Sequence, residues 1–184
     1  PCAAATAAVT MTLSTPPDAG MDGSITLCPD ADAVDLFGLL GGSPDPGGAW
    51  TAPGGGSNTG IMDPSIDPEG TYTYGLIGAP PCGHDGSVVI VEVSDAVVAT
   101  AETTDAICNG ACDGTATLTI LGGTPDYAMQ WSGNVAGSAA LEASGLCAGV
   151  YGITITDANG CVGAVNYTIG EPPPLVIDAI GIGD

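Results

Sequence analysis

The 184-residue chain contains no lysine and no arginine, so its 21 aspartates and glutamates leave a formal net charge of -21. That absence excludes whole classes of function. Nucleic-acid binding needs cations to neutralise phosphates and release counterions, and none is present. No basic patch can meet anionic lipid headgroups. No guanidinium fork or ammonium is available to grip a phosphorylated or carboxylate substrate. Side-chain ion pairs are impossible except through His84, the single histidine. Cohesion must therefore come from apolar burial, backbone hydrogen bonds and covalent cross-links.

Aromatic residues are also scarce, at 4%, and no stretch of about 18 uncharged apolar residues exists to span a bilayer as a helix. The start of the chain lacks the basic region of a secretory leader, so for an exported protein the leader is expected to lie outside this sequence. Acidity does not mean disorder here, because 45% of the residues are hydrophobic, whereas disordered acidic chains combine low hydrophobicity with high charge.

What is present is a pattern of short β-branched runs cut by 30 glycines and 15 prolines, the composition of an all-β protein with many short strands. Thr115–Ile120 and Tyr151–Thr156 alternate with period two, as half-buried antiparallel strands do. Strands are expected at 24–28, 34–36, 49–51, 71–77 and 87–93, and again at 97–102, 115–121, 128–131, 151–156 and 162–169, with loops at 43–48 and 53–60.

The landmarks recur at a period near 80 residues. Cys28, Trp50 and Cys82 are matched in order by Cys108, Trp131 and Cys161. Leu40 to Asp45 (LGGSPD) returns as Leu121 to Asp126 (LGGTPD), and Gly70-Thr71-Tyr72 returns as Gly149-Val150-Tyr151. Repeats of this length stack as beads. The fold class read from this is all-β, with two tandem immunoglobulin-like antiparallel β-sandwich domains and extra strands at both ends. Residues 1–14 read as the last strand of a preceding repeat, 15–95 and 96–174 as two sandwich repeats, and 175–184 as the first strand of a following one. A tryptophan between two cysteines is the arrangement in which the indole packs on a disulfide joining two sheets.

Seven cysteines without Cys-x-x-Cys pairs or histidine partners point to disulfides and an oxidising compartment. Equal placement around Trp50 and Trp131 predicts Cys28–Cys82 and Cys108–Cys161, with Cys112–Cys147 as an added staple. Cys2 is left over as an inter-repeat or intersubunit cysteine. Together with the strand character of the two ends, it leads to the expectation that the chain's partner is itself, through head-to-tail neighbours that complete one another by strand pairing.

No catalytic constellation emerges. His84 reads as a turn histidine, and Asp63, Asp67 and Glu69 read as solvated loop carboxylates. No cofactor is expected. The one candidate exception is Ca²⁺ on Asp30, Asp32 and Asp35, since closely spaced hard oxygen ligands suit that ion, although the sixth-position glycine and twelfth-position glutamate of an EF-hand are missing. A carbohydrate-binding bead is the rival reading. An exposed row among Tyr72, Tyr74, Tyr127 and Tyr167 would favour it.

The second repeat resembles the SprB-type repeat of Bacteroidota surface adhesins. The resemblance is carried by Cys108-Asn109-Gly110, Asp113-Gly114-Thr115-Ala116, Gly122-Gly123-Thr124-Pro125-Asp126-Tyr127, Trp131-Ser132, Gly145-Leu146-Cys147-Ala148-Gly149-Val150-Tyr151 and Thr156-Asp157-Ala158-Asn159-Gly160-Cys161. Asp126 stands where the family has a second proline. The first repeat is similar to a related module, through Leu36-Phe37, the run from Gly42 to Gly48, Trp50 and Gly70 to Tyr74. The resemblance implies long exported proteins displayed on the cell surface through the type IX route, in which such repeats are spacers or binding beads without catalytic residues. The expected role is a structural segment of an extracellular filament or adhesin stalk, with no enzymatic activity, no nucleic-acid partner and no membrane insertion.

Overall fold

The computed structural model describes residues 14–132 and 141–177. The chain divides into two compact units, one comprising residues 1–25 and 31–92, the other residues 26–30 and 93–184. The short segment Thr26–Asp30 thus groups with the second unit, although by sequence it lies in the first repeat.

The first unit contains β1 (Gly23–Leu27), β2 (Val34–Asp35), β3 (Ala49–Thr51), β4 (Ser57–Asn58), β5 (Ile61–Met62), β6 (Gly70–Ile77) and β7 (His84–Val93), the tips of β1 and β7 passing to the second unit. Its main sheet runs β1-β7-β6-β3-β4, and β2 pairs with β5 in a second, smaller layer. Alternation assigns the faces. Along β6 and β7, Tyr72, Tyr74, Ser87, Val89 and Val91 are buried while Thr71, Thr73 and Ile90 face outward. Met62 of the small layer and Leu36, just past the end of β2, are both fully buried. The strand expected at 34–36 ends a residue early, because Asp35 Oδ1 accepts the Phe37 N–H at 3.0 Å and caps a 3₁₀ turn over Leu36–Leu39.

The second unit contains β8 (Ala99–Thr104), β9 (Gly114–Ile120), β10 (Ala128–Trp131), β11 (Glu142–Leu146), β12 (Gly149–Thr156) and β13 (Val162–Ile169). Two three-stranded antiparallel sheets, β10-β12-β13 and β11-β9-β8, face each other. Between them Trp131, Ile153, Ile155, Tyr167 and Ile169 of one sheet pack against Ala116, Leu118, Ala143 and Leu146 of the other. This is a β-sandwich built on period-two alternation.

Both units repeat one device. Tyr72 OH donates to Pro68 O at 2.8 Å, and Tyr151 OH donates to Cys147 O at 3.0 Å, each carbonyl lying four residues upstream. A tyrosine near a strand start that ties itself back to its own approach loop is the corner seen in immunoglobulin-like sandwiches.

The expected loop at 53–60 contains β4, and β5 and β11 were not anticipated. All three are too short or too poor in β-branched residues to show a period. In β11 the ladder shifts between Ser144 and Leu146, at Gly145 with φ +72°, a bulge that a side chain would resist. The strand expected within residues 1–14 falls, apart from Ser14, outside the described residues. Leu175–Ile177 are described and form no strand, and the rest of the expected final strand lies outside.

Candidate functional site

The cysteines are where the structure departs most from expectation. Cys28 is bonded to Cys161, with a Cα–Cα separation of 5.4 Å, and Cys112 is bonded to Cys147. The expected Cys28–Cys82 and Cys108–Cys161 pairs are therefore corrected. Cys82 is a half-buried free thiol and Cys108 an exposed one. The reason is positional. Cys28 lies just past the end of β1, in the segment that groups with the second unit, whereas Cys82 sits in the β6–β7 hairpin turn. Cys2 lies outside the described residues.

Around Cys161 the second unit builds a tight turn without any cation. Asp157, nearly buried, accepts the backbone N–H groups of Thr124 (2.9 Å), Asn159 (2.9 Å) and Cys161 (2.8 Å). These donors hold its carboxyl below the ordinary range, the Thr124 amide contributing most and burial opposing. Asn159 Nδ2 donates to Ser94 Oγ at 2.6 Å and Thr124 Oγ1 at 3.1 Å, tying the turn to the segment that precedes β8.

The turn bearing Cys108 is held in a similar way. Glu171 Oε2 accepts the Gly110 N–H at 2.6 Å and its Oε1 accepts from Asn109 Nδ2 at 2.8 Å. Asp113 Oδ1 accepts the Ile107 N–H at 3.0 Å. Elsewhere Asp18, Asp22, Asp85 and Asp105 also accept backbone N–H groups. In a chain without lysine or arginine, carboxylates are satisfied by peptide dipoles.

Among the described residues no group of three or more His, Cys, Asp or Glu is placed to hold a metal ion. Asp30, Asp32 and Asp35 are not brought together, and Asp35 is committed to its cap. His84 stands exposed at the start of β7, paired in register with Ile77. Asp63 is engaged with Ser65, whose hydroxyl and amide hold its carboxyl low.

No exposed tyrosine row forms. Tyr72, Tyr74 and Tyr167 are buried in the two cores, and Tyr127 is half-buried against the second core, its hydroxyl donating toward Gly122 O and Gly123 O. The sequence showed alternation in these strands but not which face was inward. Two further features were not read from the sequence. An apolar cleft of about 500 Å³ opens in the second unit, lined by Leu118, Ile120, Tyr127, Met129 and Leu141. Leu175, Val176 and Ile177 stand 89%, 77% and 83% exposed after Pro172–Pro174.

The stretch from β8 through the Cys108 turn and β9 to just past β10 carries the sequence signature of a known repeat. Residues 100–136 match the SprB repeat family. Over that stretch the second unit is similar to a SprB repeat. No curated protein sequence matches the chain. Among solved structures, extracellular domains 3–5 of Drosophila OTK are similar at 14% identity with a TM-score of 0.42, over 83% of this chain and 60% of that one. The chain therefore spans about 60% of that structure's length. No helix among the described residues is long and apolar enough to cross a membrane.

Proposed function

We propose that this chain is a structural repeat segment of an extracellular surface filament or adhesin stalk, continued head to tail by pairing of strands between neighbours. The observation that carries the reading is the exposed apolar run Leu175–Ile177 on a chain of two tandem β units, the second of which holds both disulfides. Three consecutive apolar side chains in solvent are costly unless a partner covers them. β10 and β11 are edge strands whose free N–H and C=O groups could receive an added strand. A contact from one end of a copy to the other end of the next does not close, so it propagates as a fibre. The committed carboxylates and buried tyrosines support a non-enzymatic role. Oxidising conditions suited to the two disulfides support a location outside the cell.

The test is the assembly state of the intact chain by light scattering and electron microscopy, beside a variant carrying Leu175→Ser, Val176→Ser and Ile177→Ser. Concentration-dependent fibres that the triple variant abolishes are expected. A chain that stays monomeric at high concentration, or fibres indifferent to the three substitutions, would overturn the reading.

A further inference from the structure

The observed Cys28–Cys161 bond follows a rule stated in repeat positions. Cys28 occupies the turn after the first strand of the first repeat, and Cys161 occupies the hairpin turn between the last two strands of the second. The bond therefore joins the turn cysteine of one repeat to the hairpin cysteine of the next. Each has a counterpart. Cys108, 80 positions after Cys28, lies in the turn after β8, and Cys82, 79 positions before Cys161, lies in the β6–β7 hairpin. These counterparts are the two free thiols among the described residues.

Each hairpin also meets a serine from the equivalent point of the chain. Ser94 meets the Cys161 hairpin through Asn159, and Ser14, 80 positions earlier, meets the Cys82 hairpin, its carbonyl 3.7 Å from the Cys82 sulfur. The Cys108 turn is closed by Ala111 N–H on Cys108 O at 3.0 Å and clamped by Glu171, so the exposed thiol is presented on a fixed loop.

We propose that Cys108 of one copy of this chain forms a disulfide with Cys82 of the next copy, repeating between copies the staple that Cys28–Cys161 makes within one. The inference rests on the head-to-tail reading above and names its covalent link. The chemistry is thiol–disulfide exchange with a small disulfide oxidant such as oxidised glutathione. The Cys108 thiolate attacks the oxidant, forming a mixed disulfide and releasing one thiolate. The Cys82 thiolate of the neighbour then attacks the Cys108 sulfur and releases the second. The two protein thiols lose two protons and two electrons, and the oxidant leaves as two thiols.

The experiment oxidises the purified full chain with oxidised glutathione and follows non-reducing gels, with peptide mapping of an equal mixture of ¹⁵N-labelled and unlabelled chain. A ladder of dimers, trimers and higher species is expected, collapsing with reductant, with Cys82–Cys108 peptides of mixed isotope. Cys82→Ser and Cys108→Ser should each abolish the ladder while keeping the Cys28–Cys161 peptide, and mixing the two variants should restore dimers only. No ladder, a ladder surviving in either variant, links through Cys2, Cys108–Cys108 dimers, or Cys82–Cys108 peptides without isotope mixing would each overturn the proposal. Light scattering in reductant reports the head-to-tail reading separately, because fibres that form without any cross-link leave that reading intact while removing this one.

Discussion

The two units share landmarks but use them differently. Each has one tryptophan 7% exposed, Trp50 on β3 and Trp131 on β10, at the same place in the repeat. Across the ladder, Trp50 faces Tyr74 on β6, and its ring lies 5.1 Å from that tyrosine. Trp131 faces Ile153 on β12, the equivalent position, and meets an aromatic ring one strand further over, Tyr167 on β13 at 6.2 Å. The polar consequences diverge. Tyr74 OH donates to Asp45 O at 2.7 Å and accepts the Gly48 N–H at 2.8 Å, which anchors the loop before β3. Tyr167 OH and Trp131 Nε1 are buried with no hydrogen-bond partner among the described residues. The first strand also goes to different sheets, β1 beside β7 but β8 beside β9. The same repeat can thus be completed by two strand arrangements, provided an indole fills the middle and a tyrosine corner closes the end.

This contrast can be broken or sharpened by substitution, with hydrogen exchange read separately over each unit. The largest effect is expected from Cys28→Ser with Cys161→Ser. Opening a cross-link that spans 133 residues should cost about 5 kcal/mol in the chain-entropy model, against about 4 kcal/mol for Cys112→Ser with Cys147→Ser, which spans 35. Both losses should appear in the second unit. Equal loss of protection across the first unit in the Cys112 variant would show that the units do not unfold separately.

Next come two glycines at positive φ. Gly60 has φ +88°, and a Cβ there would lie 2.7 Å from Trp50 Nε1 and 2.8 Å from its Cδ1. Gly60→Ala should destabilise the first unit by about 3 kcal/mol, adding overpacking to left-handed strain. Gly145 has φ +72°, but its nearest neighbour would be Cys112 O at 3.9 Å, so Gly145→Ala should cost the second unit only the strain, about 1 kcal/mol. Equal costs would mean that the indole can yield.

A smaller pair concerns hydroxyls. Tyr72→Phe loses the corner bond to Pro68 O and should cost about 1 kcal/mol, whereas Tyr167→Phe removes a buried hydroxyl with no partner and should be neutral or slightly stabilising. A substantial loss for Tyr167→Phe, measured by denaturant titration, would contradict the unpartnered state.

The smallest effect is one of pH. Asp157 and Asp63 both have folded carboxyl pKa values below the ordinary carboxylate value. Each contribution is fully present above the unfolded value of about 3.9 and is lost as pH falls through the lower folded value. Asp157→Asn should flatten the acid limb of the second unit more than Asp63→Asn flattens that of the first. Asp157 is nearly buried and accepts three backbone N–H groups, while Asp63 is held chiefly by the Ser65 hydroxyl and amide. The reverse order in stability–pH profiles would show that the number of backbone donors does not govern these two sites.

Much of the fold was legible because it is periodic. The run around Tyr72, the alternation that turns Ala116 and Leu118 inward within Thr115–Ile120, and the Trp-centred landmarks each carry their own local signal, and the strands formed there. β4, β5 and β11 left no such trace. They exist because a neighbouring strand offers a partner, and Gly145 lets β11 follow β9 through its bulge. The candidate site was less legible. Composition alone required that carboxylates find donors other than lysine and arginine. That Asp157 and Glu171 hold the turns bearing Cys161 and Cys108 could not be read, since their donors lie up to 33 and 62 positions away. The sequence by itself determined the all-β character, the two-fold repeat and the presence of cross-links, because alternation, spacing and residue type are local or countable. Only the tertiary structure decided which cysteine meets which. Every thiol is chemically alike, and a disulfide depends on a Cα separation such as the 5.4 Å between Cys28 and Cys161, which no order along the chain specifies.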